Sequence, residues 1–333
     1  MQDKQAGTAP RKRGVSYAKW GYIFCIPFIV AFLIFSLYPI IYTATISFSD
    51  LKGMGTNAFN FLSPAEFFDN YIDILHNGKF QLALRTTFLL WTCNFIPQIS
   101  LALLLTAWFT NTSLKIRAQG AFKTLVFMPN IITAGAIAVL FYSFFAYPIG
   151  PVNTFLVDMG LITEPVEFLR SPAVSRGIIS FIQFWMWYGN TMVVLIAGVM
   201  GINPTLYEAA AIDGASNSKA FFHITIPCLR TILLYILVTS MIGGLQMFDI
   251  PKLFNNGRPN DTTGTVAVYI YNQAFTGGYQ FNRAATASMI LFIITAILAG
   301  VLFFVMRDRD AARERKAKRT LLTAHKKASG RVE

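Results

Sequence analysis

Asn203-Pro204-Thr205-Leu206-Tyr207-Glu208-Ala209-Ala210-Ala211-Ile212-Asp213-Gly214-Ala215-Ser216, running on through Phe221 to Ile224-Thr225-Ile226-Pro227, is a polar island between two long apolar runs. Its residues spell two short helices around a tight turn. Pro204 after Asn203 suits a first helical position, where no N–H is needed. The alanines that follow have high helix propensity. Gly214 suits the left-handed residue that closes a helix. Ser216 is placed to cap a second helix, and Pro227 stands where the next apolar run begins.

Outward from this island, the chain is that of a membrane protein. Of its 333 residues, 54% are hydrophobic and 13% charged, against about a quarter charged in a soluble domain. Mean hydropathy is +0.51. A bilayer-spanning helix needs about 20 apolar residues. Charge-free runs of that order occupy Trp20–Ser49, Thr86–Leu114, Thr124–Val157, Gly177–Tyr207, Thr231–Phe248 and Ala284–Met306. The expected fold is all-α, an integral membrane protein with six transmembrane helices, and the island is a compact docking element between the fourth and fifth. The first run follows Arg11-Lys12-Arg13 but is about twice the 7–15 residues of a cleaved signal. It reads as a retained span. Cys25, Cys93 and Cys228 fall in or beside spans, at spacings that give neither a metal site nor a disulfide framework.

The net charge of +12 is set by topology. Twenty of the 28 Lys and Arg residues fall on one side: the N-terminal tail, the connections around Lys115–Lys123 and Lys219–Arg230, and the C-terminal tail. The positive-inside rule places both termini and the Glu208 loop in the cytoplasm. The basic tail suits lipid headgroups, and no nucleic-acid partner is expected. The outer connections, Asp50–Arg85, Tyr147–Arg176 and Asp249–Arg283, are rich in loop prolines. Three regions follow: a cytoplasmic tail over 1–19, a membrane domain over 20–306, and a basic cytoplasmic tail over 307–333.

Taken alone, Glu208 and Asp213 are two solvated loop charges. Taken together, Glu208-Ala209-Ala210, Asp213-Gly214-Ala215, Phe221, Ile224 and Pro227 resemble the EAA loop of binding-protein-dependent ABC transporter permeases. Ser218-Lys219, Ile226 and Thr231 depart from the usual pattern. The resemblance implies a rigid cytoplasmic knob that meets an ATPase subunit. Glu208 would lie near a helix N-terminus, where negative charge is favourable, and help fill a groove on the ATPase. Phe221 and Ile224, three apart on one helical face, either pack back onto the permease or enter that groove. Leu37-Tyr38-Pro39, Phe127-Met128-Pro129-Asn130, Gly150-Pro151-Val152-Asn153, Tyr269–Phe275 and Ala284–Ser288 are similar to the carbohydrate-uptake permeases related to the larger maltose permease subunit. The outer Gly257-Arg258-Pro259 departs from that group's Gly-Gly-Pro, so contacts with a binding protein do not transfer there.

Intramembrane polar residues usually face a cavity or another helix. Asn94 and Gln98 share a face of the second span, Gln183, Trp187 and Asn190 a face of the fourth, and Gly243 and Gln246 a face of the fifth. Amides suit sugar hydroxyls, and flat aromatic rings suit the C–H faces of the sugar; Trp185, Trp187, Tyr188 and Asn190 offer both. By resemblance, Trp187, Asn190, Gly243 and Gln246 align with sugar-contacting regions of the maltose-type subunit.

The chain has no phosphate-binding Gly-Lys-Ser/Thr loop, so ATP and Mg are expected on a partner ATPase and no cofactor in this chain. His76, His223 and His325 are scattered, and no paired intramembrane carboxylates serve acid–base work; Asp249 reads as a loop residue. A membrane enzyme would cluster such groups, and a secondary carrier would show internal repeats and buried charges. The resemblance implies the permease subunit of an importer for a sugar, an oligosaccharide foremost, in a bacterial or archaeal cytoplasmic membrane. Glycerol phosphate, a polyol or another small polar solute stands as the alternative cargo. The implied partners are a second related permease, an ABC ATPase dimer and an extracytoplasmic solute-binding protein.

Overall fold

The computed structural model describes residues 18–55, 60–111 and 117–306. Both tails that dominate the charge asymmetry, and Lys115, lie outside the described residues. The described chain is helical, with one isolated antiparallel bridge between Ser49 and Phe61.

The first run folds as α1 (Ala18–Phe32), a π-helical turn over Leu33–Leu37, and α2 (Tyr38–Ser47). No residue in the apolar core of this span is buried against the rest of the chain. Only its outer end is anchored, where Ile46 and Leu51 pack on Ala285. The outer connection that follows contains α3 (Asp69–His76). Asn77 then starts α4 (Gly78–Phe109) by accepting the backbone N–H groups of Lys79 and Phe80.

The third run is not one straight span. It folds as α5 (Gln119–Phe127), a 3-10 turn over Met128–Ile131, and α6 (Ala134–Phe144), bent by 87°. The cause is local. Pro129 removes a backbone donor and breaks the ladder, Thr133 caps the new helix at Ala136, and at the break the amide of Asn130 donates to the carbonyl of the sequence-distant Met186 at 3.3 Å. Outer helix α7 (Pro151–Asp158) follows.

α8 (Pro172–Met200) starts on Ser171, with Pro172 in the first turn. The polar island gives α9 (Thr205–Ile212), α10 (Asn217–Ala220), a π-helical turn over Phe221–Thr225, and α11 (Ile226–Cys228). α12 (Arg230–Leu245) and α13 (Asp249–Asn255) act as one long apolar element over Arg230–Asn255. Asp249 is the first residue of α13 rather than part of a loop. α14 (Val266–Phe275) and α15 (Phe281–Met306) close the described chain. Among the described residues, five helices are long and apolar enough to cross a membrane, or six if the bent pair counts as one span.

The most extensive packing seam runs between α4 and α8. Lipid is as apolar as leucine, so such seams depend on close fit and polar ties. Glycines permit the fit: a Cβ on Gly189 of α8 would collide with the Val126 carbonyl oxygen, and one on Gly244 of α12 with the indole of Trp91 on α4. The tie across α4 and α8 is Gln98, whose amide donates to Thr191 Oγ1 at 2.8 Å; such a bond contributes about 0.6 kcal/mol in a membrane. Ala102, Met192, Leu195, Leu229 and Ile236 pack one cluster, toward the polar island, and Leu90, Ile137, Ile179, Ile182, Ile250 and Phe254 another.

Candidate functional site: a cavity among the helices and a helical hairpin

Between α4, α8 and α12 lies a cavity of about 400 Å³. Gln183, Trp187, Asn190, Thr191 and Val194 form one stripe of α8 along it, spaced as a helical face requires. Gly243, Gln246, Phe248 and Asp249 line it from the other side, with Asn94 and Gln98 at its back. The four residues aligned above with sugar contacts, Trp187, Asn190, Gly243 and Gln246, thus meet in one space. Trp187 exposes 46% of its surface, so a flat indole face is available. A Cβ on Gly243 would meet nothing within 4 Å, which leaves bare backbone facing the cavity.

Gln98 and Asn94 differ from these. Both are buried, Gln98 is held by Thr191, and the Asn94 amide donates to the Leu90 carbonyl at 2.8 Å. They firm the wall more than they present free donors. Trp185 and Tyr188, proposed from sequence as sugar-facing, do not line the cavity. Trp185 packs on Phe141 with centroids 6.0 Å apart, and Tyr188 on Phe184 at 5.6 Å. One residue turns a helix by about 100°, which carries both rings off the Gln183–Val194 stripe. Sequence reasoning missed Tyr235, Thr239 and Ser240, which also line the cavity. Their signal was the i, i+4 series Tyr235, Thr239, Gly243 along α12.

The hairpin forms as its residues dictate. Asn203 Oδ1 accepts the Thr205 N–H at 3.1 Å, and Pro204, already in helical conformation, precedes α9. Gly214 adopts φ +76°. The Ala215 N–H then donates to the Ala210 carbonyl at 2.8 Å and the Gly214 N–H to Ala211 at 3.1 Å, the paired bonds that close a helix through a left-handed residue. Ser216 Oγ accepts from the Lys219 N–H and starts α10. Beyond it the backbone stays helical through Pro227 into α12, apart from Leu229. The second arm thus leads, through a turn at Leu229, into α12, a wall of the cavity.

Glu208, Ala209, Asp213, Gly214 and Pro227 are exposed, while Ala210, Ala215, Phe221 and Ile224 are half-buried. Side-chain bonds also tie the hairpin across its arms and to the end of α4. Tyr207 Oη and Thr225 Oγ1 lie 2.8 Å apart, joining its two arms. Asn217 Nδ2 donates to Asn111 Oδ1, just past α4, at 3.0 Å. At the tip, Ile212 exposes 88% of its surface. Its place in an alanine-rich helix hid it from sequence reasoning, because a helical pattern does not say which side faces outward when both sides are small.

The all-helical fold, the membrane-length helices and the polar cavity among them define a multi-pass membrane transport protein. No family model matches the chain. It is similar to the lactose transport system permease protein LacF of Rhizobium radiobacter, 32% identical over 291 residues that cover 87% of this chain and 94% of the relative. It is also similar to the arabinooligosaccharides transport system permease protein AraP of Bacillus subtilis, 31% identical over 83% of this chain and 85% of the relative. A solved bacterial ABC transporter involved in import of the acidic polysaccharide alginate contains a chain of the same fold, with TM-score 0.74 and 25% identity over 87% of this chain and 95% of that one. The chain belongs to the sugar ABC transporter permeases.

Proposed function

We propose that this chain is a six-span, pathway-forming subunit of an importer that moves a sugar, foremost an oligosaccharide, into the cell. A second related permease encloses the other half of the path. The cavity at Trp187, Asn190, Gly243 and Gln246 holds the sugar in transit, with the indole under a sugar ring and the amides on hydroxyls. The hairpin around Glu208 is the cytoplasmic element that receives the motor. Glu208 and the exposed Ile212 meet the ATPase, while Asp213, Gly214 and Ala215 set the angle between the arms, and Ala209, Ala210, Phe221, Ile224 and Pro227 keep the knob rigid. ATP and Mg belong to the ATPase dimer, and an extracytoplasmic binding protein delivers the cargo. Closure of the motor moves the hairpin as a lever, and the helical run into α12 carries that motion to the cavity wall.

The observation that carries this reading is the convergence of those four residues on one cavity whose α12 wall continues into the hairpin. The test is co-expression with the chromosomal neighbours, gentle purification and native mass spectrometry, then uptake of labelled di- and trisaccharides in proteoliposomes. A complex with a second permease and two ATPase copies, importing a sugar only with ATP and binding protein, is expected. A chain alone or paired with itself, without ATPase, contradicts the proposal.

A further inference from the structure

Phe248, which lines the cavity, is the first of a row of aromatic rings. Its ring lies 5.2 Å from that of Tyr271, Tyr271 lies 5.2 Å from Phe275, and Phe275 lies 6.5 Å from Phe281. Phe248 lines the cavity, and the others continue outward along α14 to the start of α15. Tyr271 and Phe275 are four apart on α14. The opposite face of that helix, with Val266 and Tyr269, is packed into the core. Tyr271 and Phe275 are left 38% and 58% exposed.

An exposed aromatic row on a membrane protein is often lipid-facing. Here the flanking charge argues otherwise. Lys252 Nζ stands 4.5 Å from the Tyr271 ring centroid and donates to Asn272 Oδ1 at 2.8 Å. The same lysine lines a second, outer cavity of about 720 Å³. An ammonium group is costly against acyl chains and is kept where water reaches it. The Tyr271 ring therefore lies beside a charged group that water must reach, and one ring contact from the cavity-lining Phe248.

We propose that Phe248, Tyr271, Phe275 and Phe281 form an aromatic file that binds sugar rings between the outer mouth and the cavity. The negative ring faces suit the weakly positive C–H faces of a sugar, and Lys252 and Asn272 lie beside them at the level of its hydroxyls. Neighbouring rings offer equivalent stacking steps, so a sugar passes along the file without one deep well. This rests on the importer reading above.

The test uses the complete reconstituted transporter with its binding protein and a panel of labelled di- and trisaccharides that includes lactose and arabinotriose. Tyr271→Leu and Phe275→Leu keep apolar volume and remove the flat ring. Each is expected to lower uptake per assembled complex roughly five-fold, the scale of one aromatic contact. Tyr271→Phe and Phe275→Tyr are expected to stay within about two-fold of wild type, because the ring is retained. Unchanged uptake in both leucine variants overturns the file. So does equal impairment by leucine and aromatic variants, or loss of assembly with normal uptake per complex, since either marks a packing surface for lipid or the second permease. If the wild-type complex imports no member of the panel, the importer reading fails, and the file fails with it.

Discussion

The hairpin and the cavity are built on opposite plans. The hairpin is local: each feature comes from residues within one or two turns, and most of its surface faces outward. The cavity is assembled from α4, α8 and α12, which are far apart in sequence, and the close contact of α12 with α4 depends on Gly244. The difference teaches where function can be altered cleanly. Changes in the hairpin should break the link to the motor and spare the cavity, whereas changes in the cavity should alter cargo handling and spare the link.

Gly214→Pro makes the sharpest break. The residue sits at φ +76° and its N–H is hydrogen-bonded, both incompatible with proline. With a cost of about 3 kcal/mol or more, transport per complex should fall about 100-fold while membrane insertion and sugar binding persist. Normal uptake would remove the lever from the account. Gly243→Leu comes next. It pushes a side chain into a cavity of about 400 Å³, and trisaccharide uptake should fall about ten-fold and more than disaccharide uptake, equivalent to about 1.4 kcal/mol. Equal loss for both cargo lengths would show that Gly243 serves packing instead.

Smaller effects refine the comparison. Tyr207→Phe deletes the bond to Thr225, worth about 1 kcal/mol. Sugar moved per ATP should drop about three- to five-fold, with half-saturation by loaded binding protein unchanged. A shift in that half-saturation instead would tie Tyr207 to the pathway. Ser216→Ala removes the cap of α10 at about 1 kcal/mol. Part of this is recovered by the continuous helix beyond, so uptake should drop less than about two-fold, measurable as faster proteolysis of the hairpin.

The hairpin was legible because Asn203, Gly214 and Ser216 act on their own backbone. The cavity was legible where helical periodicity sufficed: Trp187 and Asn190 fall on one stripe and Gly243 and Gln246 face it. Trp185 and Tyr188 lie off that stripe by the same periodicity, and their aromatic character alone drew them into the sugar-facing set. The membrane spans were visible as charge-free runs, but Thr124–Val157 hid a bend of 87°. Apolar composition reports residence in lipid and not direction, and only Pro129-Asn130 marked the break. The outer helices α3, α7, α13 and α14 are short and lie in connections whose prolines suggested loops. Pro151 starts α7 and Pro251 sits inside α13, roles that composition does not distinguish from a turn.

The most direct test of the coupling between the two regions is accessibility of Gly243→Cys to a membrane-impermeant thiol reagent. Cys25, Cys93 and Cys228 are exposed and are first replaced by Ser. In the assembled transporter, trapping the ATPase with ATP and vanadate should move labelling of residue 243 from the cytoplasmic to the outer side, and Gly214→Pro should abolish that shift. A shift that persists in the Gly214→Pro transporter would contradict the claim that the hairpin drives the cavity.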